Sequence, residues 1–178
     1  MNRKGDWLQT FSGRKFWPLD SIPEDIYIED IAHALSLICR FGGHCSEFYS
    51  VAQHSVLVAG AVTQEHKLWA LLHDATEAYL GDIVRPLKHS QQLLPYRQIE
   101  TALMHCICLR FGMLPMMPQE VKYADNCMLL TEKRELLRHD LPWTPSTAQA
   151  YRLIICPVSP EEAEQEFLET FHAIQTAK

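Results

Sequence analysis

Residues 71–82 read Leu71-Leu72-His73-Asp74-Ala75-Thr76-Glu77-Ala78-Tyr79-Leu80-Gly81-Asp82, a His-Asp doublet at the end of an apolar run with two more carboxylates close behind. Imidazole and carboxylate are the natural ligands of borderline divalent cations, and both also carry protons near neutrality. Crowded beside an apolar stripe, such groups lose water and repel one another unless a cation compensates. Two more residues stand out by context. His54 lies at the edge of an apolar stripe. Asp125 is flanked at helical spacing by Val121, Met128 and Leu129, so its carboxylate sits on a face that should be buried and needs a partner.

The positioning elements are read from periodicity. Leu68, Leu71, Leu72, Ala75 and Tyr79 predict one amphipathic helix through the doublet, stopped by Gly81. On it His73 and Glu77 share a face, and Asp74 and Glu77 are neighbours. Ile31, Leu35 and Ile38 predict a helix from about Ile28 to Arg40, ended by Gly42-Gly43. Val51, Ser55, Val58 and Val62 form the inner stripe of a helix over 50–62. The short turn Gln64-Glu65-His66 makes it an antiparallel neighbour of the central helix, so His54 and His73 can face one cleft.

Further on, residues 81–97 read as a basic loop with Arg85, Lys88 and Arg97, followed by a helix over 98–111 and another from Pro118 to about Leu137. Residues 139–157 read as irregular, with Leu153-Ile154-Ile155 as a candidate strand. Ser159-Pro160-Glu161-Glu162 is a capped helix start, with Ala163, Phe167, Phe171 and Ile174 inward. Residues 1–20 carry Trp7, Phe11, Phe16 and Trp17 without clear periodicity and read as an ordered arm or short strand pair. The expectation is an all-α bundle, one domain over 1–178, with an irregular N-terminal arm.

Composition narrows the function classes. A formal net charge of −6 argues against a binder of nucleic-acid polymers led by bulk electrostatics, while leaving room for a local phosphate pocket. With 47% hydrophobic residues the chain can bury a core, yet its apolar runs are too short for a membrane span. The N-terminus lacks an apolar signal-peptide core, and the six cysteines show no Cys-x-x-Cys pair, so they read as reduced core residues of a cytoplasmic protein.

Collected, the candidates are His54, His73, Asp74, Asp125, Glu77 and Asp82. Two imidazoles and two carboxylates suit a divalent ion with open positions, which would make a nucleophile of water near neutrality. Glu77 could then move the proton. Each residue also has a plainer role. His54 suits a hydrogen-bonded core histidine, Asp82 a turn cap, and Asp125 a partner for arginine. Lys88 and Lys122 suit solvated lysines, and Trp17 and Leu19 packing of the arm.

The order Val51-Ala52-Gln53-His54-Ser55, Leu72-His73-Asp74-Ala75-Thr76-Glu77, Gly81-Asp82 and a distal Ala124-Asp125 resembles the HD-domain metal-dependent phosphohydrolases. The resemblance is closest to the small deoxynucleotidase branch, with its bacterial 5′-deoxynucleotidases and phage-type dATP triphosphohydrolases. It implies that His54, His73, Asp74 and Asp125 hold a transition metal (Co, Mn or Zn), that Glu77 handles the proton, and that Asp82 supports it. It further implies that Arg40 contacts phosphate or sugar, that Lys88 and Lys122 contact phosphate, and that Trp17, Leu19 and Pro86 shape a base pocket. The expected substrate is a deoxynucleotide, dATP first, with deoxynucleoside monophosphates or binding without turnover as alternatives. The family also implies a homo-oligomer, dimeric or hexameric, in the cytoplasm, that of the host if the protein is phage-encoded.

Overall fold

The computed structural model describes residues 3–138, 141, 143 and 147–177, and their fold is mostly helical. A two-stranded antiparallel hairpin opens it, β1 (Leu8–Gln9) paired with β2 (Lys15–Phe16). The helices are α1 (Ile28–Leu37), α2 (Val51–Gly60), α3 (Lys67–Leu72), α4 (Glu77–Leu80), α5 (Arg85–Lys88), α6 (Leu94–Phe111), α7 (Gln119–Leu136) and α8 (Pro160–Thr176). No described helix is long and apolar enough to cross a membrane.

The bundle centres on α2, which packs against α1, α3, α7 and α8. Its start is fixed by Ser50, whose side chain accepts a hydrogen bond from the Gln53 amide at 3.0 Å, a cap worth about 1 kcal/mol. Val51, Ala52, Ser55, Val58 and Val62 are buried, matching the expected inner stripe. On α8, the capping box between Ser159 and Glu162 forms, and Ala163, Phe167, Phe171 and Ile174 face the core. Each large apolar side chain buried this way contributes about 1.5–3 kcal/mol. Trp69 anchors α3 by donating its indole N–H to the Leu114 carbonyl at 2.8 Å.

The central helix is where the chain departs from its periodicity. It stops at Leu72 and resumes at Glu77, with a tight turn between. There the Ala75 amide bonds to the Leu72 carbonyl at 3.0 Å and the Glu77 amide to the Asp74 carbonyl at 2.9 Å, both three residues back rather than four. The cause is local. The His73 ring donates from Nδ1 to the Ala70 carbonyl at 2.7 Å, taking the acceptor that the next helical turn would use.

Other boundaries move modestly. α1 ends three residues before Arg40, and an isolated bridge between Cys39 and Ser50 closes the loop carrying that arginine. The 81–97 loop contains the short helix α5, and α6 begins at Leu94 with Pro95 in its first turn. Gly112 takes a left-handed φ of 68° to end α6. Leu153-Ile154-Ile155 is not a strand. Its neighbouring carbonyls are taken by side chains: Arg134 donates to the carbonyls of Tyr151 at 3.0 Å and Leu153 at 2.7 Å, and Gln53 to that of Cys156 at 2.8 Å. Part of the 139–157 stretch lies outside the described residues.

Cysteine burial is mixed: Cys108 and Cys127 are buried, Cys39, Cys45 and Cys106 intermediate, and Cys156 exposed. The expectation of core cysteines therefore holds for two of the six, and none of the six is in a disulfide.

Candidate metal centre

His54 leaves the middle of α2, and His73 the first residue of the turn after α3. Because α2 and α3 pack on each other, the two Nε2 atoms meet 3.2 Å apart. His54 is fully buried and His73 nearly so. Asp74 reaches the same point from the tight turn, its Oδ2 lying 3.3 Å from His73 Nε2 and 3.7 Å from His54 Nε2. From α7, Asp125 Oδ1 lies 3.3 Å from His54 Nε2 and 3.8 Å from His73 Nε2.

The donor set fits a metal ion. His73 spends its Nδ1 proton on a carbonyl, so the neutral ring turns a lone pair inward from Nε2. His54 Nδ1 lies 2.5 Å from a carboxylate oxygen of Glu132, which fixes the same tautomer. A cation at this point would take both rings in the neutral form, each offering its Nε2 lone pair beside the Asp74 and Asp125 carboxylates. Ligands about 2.0–2.1 Å from a tetrahedral ion lie about 3.3–3.4 Å from one another, close to the spacing seen here. His54, His73 and Asp74 form a group able to hold a metal ion.

The residue that periodicity missed is Glu132. It is fully buried on α7 and pairs through its second oxygen with Arg40 Nη2 at 2.7 Å. Its signal was present in the sequence: Val121, Asp125, Met128, Glu132 and Leu136 form one helical stripe, so Glu132 is as anomalous there as Asp125. Arg40 is not on a helix but in the 3-10 turn Arg40–Gly43. The loop holds it through the Arg40 amide to the Tyr49 carbonyl at 2.9 Å, and the Ser46 amide to the Leu136 carbonyl at 2.8 Å. Arg40 Nη1 is 3.6 Å from Asp74 Oδ2, and its buried Nε has no hydrogen-bond partner. Phe41, next to it, takes a left-handed φ of 56°, a strained conformation for an aromatic residue.

The electrostatics describe a trap for positive charge. Burial opposes charging either histidine, and Arg40 opposes it at His54, but the surrounding carboxylates outweigh both and raise the two rings above their ordinary value. Burial would likewise raise Asp74 and Asp125, yet the histidines hold both well below the usual carboxylate range. Glu132 is held at about 2 by His54 and Arg40 against the opposing effect of burial.

Glu77 opens α4, one turn beyond the ligands, and burial together with Asp74 and Asp82 pushes its carboxyl well above the ordinary value. Its buried Oε2 has no hydrogen-bond partner. Asp82 is half-buried and raised by burial and by Asp74. Lys88 turns to Glu100, 2.5 Å away, although Glu77 and Asp74 also act on its charge. Lys122 is exposed on α7. Trp17 lies under the Arg3 guanidinium at 4.4 Å, Leu19 is half-exposed beside Pro95 and Ile99, and Pro86 is exposed on α5. Among the described residues, no hydrogen bond, ion pair or ring contact joins Lys122, Trp17, Leu19 or Pro86 to His54, His73, Asp74 or Asp125.

No family model matches the chain. It is 44% identical over 173 residues to the uncharacterized protein YfdR of Escherichia coli (strain K12), covering 93% of this chain and 94% of that protein. It is 38% identical over 130 residues to an uncharacterized protein of Rhodobacter capsulatus, covering 68% of this chain and 66% of the relative.

Proposed function

We propose that this chain, which belongs to the same family as Escherichia coli YfdR, is a metal-dependent phosphohydrolase of the HD type acting on deoxynucleoside 5′-phosphates. The observation that carries this is the convergence of His54, His73 and Asp74 on one point, with Asp125 Oδ1 3.3 Å from His54 Nε2, beside Arg40 and a buried Glu77 oxygen without a hydrogen-bond partner. A cobalt, manganese or zinc ion held by those four residues would supply Lewis acidity and lower the pKa of water.

The chain's own residues do the rest. Arg40, fixed by Glu132, offsets charge building on the phosphoryl group. Glu77, whose surroundings raise its proton affinity, takes the proton from the attacking water. The oxygen of that water bonds to phosphorus, the bond from phosphorus to the 5′ oxygen breaks, and that oxygen leaves as the deoxynucleoside hydroxyl with the proton that Glu77 gives back. Burial, Asp74 and Asp82 favour the protonated form of Glu77, and a cation at the cluster would offset that negative charge and free the carboxylate to act as base.

The resemblance favours dATP, with deoxyadenosine and triphosphate as products. One observation favours deoxynucleoside monophosphates instead. Arg40 is the cation paired with the cluster, while Lys88 is engaged by Glu100 and Lys122 lies exposed. Fewer free cations suit a shorter phosphate chain. Product chromatography tests both. Metal-stripped protein restored with cobalt, manganese or zinc is given each dNTP and dNMP. Release of deoxynucleoside with intact triphosphate supports the dATP reading, and turnover of monophosphates alone supports the second. No turnover with any of the three metals overturns the hydrolase.

A further inference from the structure

The two oxygens of Glu132 serve different neighbours. Oε1 lies 2.5 Å from His54 Nδ1 on α2, and Oε2 lies 2.7 Å from Arg40 Nη2 on the 40–49 loop. We propose that Glu132 is a positioning residue that sets both halves of the site at once, the metal-facing nitrogen of His54 and the guanidinium of Arg40 beside Asp74. This rests on the metal-phosphohydrolase reading of the same cluster.

The geometry supports it from both sides. An imidazole ligates through one nitrogen, and the hydrogen bond at the other sets which tautomer is present. With Nδ1–H given to Glu132, the lone pair on Nε2 points at the shared centre, 3.2 Å from the opposing Nε2 of His73. Glu132 is therefore to His54 what the Ala70 carbonyl is to His73. A carboxylate also raises the basicity of the ring more than a carbonyl does, which strengthens the ligand.

On the other side, Arg40 is 11% exposed and has lost most of its water. Its guanidinium would not hold a single orientation without an anion at one edge. Glu132 occupies the Nη2 corner and Asp74 faces Nη1, which leaves Nε as the unpartnered donor. The carboxylate is an acceptor only, and both of its neighbours are donors. A glutamine at this position has the same shape but one acceptor oxygen, and its amide nitrogen must meet either His54 or Arg40 as donor against donor. Glu132→Gln therefore cannot satisfy both sides.

The test uses the full chain with zinc and inorganic phosphate as probes. Zinc affinity is read by competition with a chromogenic chelator, and phosphate affinity of the zinc-loaded protein by calorimetry. Glu132→Gln is expected to bind zinc about 10–100-fold more weakly and to lose phosphate affinity. Leu103→Val, fully buried on α6, which supplies no residue of the cluster, is expected to lower Tm while keeping both affinities, which separates positioning from stability. Either affinity unchanged in folded Glu132→Gln protein overturns the two-sided role. A wild-type measurement guards against a variant that fails to fold. Long-range proton–nitrogen correlation on the zinc form should place the remaining His54 proton on Nδ1, and a proton on Nε2 overturns the proposal. Zinc uptake by the wild type with unchanged affinity in Glu132→Gln removes only the role of Glu132. Folded wild type that takes up no zinc removes the metal centre and this inference together.

Discussion

Asp125 and Glu132, two turns apart on α7, hold opposite nitrogens of one imidazole. Asp125 Oδ1 lies 3.3 Å from His54 Nε2, and Glu132 Oε1 lies 2.5 Å from His54 Nδ1. One helix thus supplies a carboxylate to each side of the His54 ring. The register of α7 against α2 therefore matters more to the site than the register of any loop.

Asp125→Ala removes a ligand without opening the core, because Asp125 is 32% exposed. It should fold, keep its helical circular dichroism and lose metal-dependent turnover. Metal analysis of the purified variant is expected to show a deficit beyond the roughly 10–100-fold weakening typical of losing an outer partner. Wild-type metal content with wild-type turnover would take Asp125 out of the ligand set.

Glu77→Gln separates binding from chemistry. Glu77 carries a raised carboxyl but is not among the four converging ligands, so the variant should retain the metal and lose roughly 10²–10⁴-fold in kcat. Unchanged kcat in a metal-replete variant rules out its part in proton transfer.

Metal should stabilise the fold, because its ligands come from α2, the turn after α3 and α7, which are apart in sequence. At a concentration 100-fold above Kd the gain is about 2.7 kcal/mol. For a chain of this size that is a rise of roughly 5–11 °C in Tm, read by thermal unfolding with and without chelator. A Tm indifferent to cobalt, manganese and zinc contradicts a centre held by all three elements.

The turn before α3 is joined to α7 by Glu120, which accepts from Thr63 at 2.7 Å and pairs with His66 at 2.5 Å. Hydrogen bonds from His66 and Thr63 lower the Glu120 carboxyl below its ordinary value of 4.5. Its folded pKa is depressed, so its contribution to stability is complete above about pH 4.5 and is lost as pH falls through the lower folded value. Tm measured against pH should therefore fall less steeply on the acid side for Glu120→Gln than for the wild type. Parallel curves would mean the contact adds no pH-dependent stability.

Leu71 is fully buried where α3 meets the core, next to the turn that carries the ligands. Leu71→Ala is expected to cost about 2–5 kcal/mol, measured by denaturant unfolding. A loss under 1 kcal/mol would show that the core around α3 collapses to fill the gap.

Much of this protein is legible in its residues alone. The helical class, the inner faces of α2 and α8 and the capping box at Ser159 all follow from local pattern, because periodicity and capping act over a few residues. The break at His73 is local too, a side chain competing for the carbonyl three residues back, but apolar spacing does not register it. Two things belong to the tertiary structure. The placing of Arg40 depends on a loop closed by the Cys39–Ser50 bridge and anchored to the end of α7. Glu132 lay in plain view on a buried stripe, yet its partners come from α2 and from the 40–49 loop, far away in sequence. Which carboxylate meets which nitrogen is set by how helices pack, and packing joins residues whose separation along the chain carries no periodic signal.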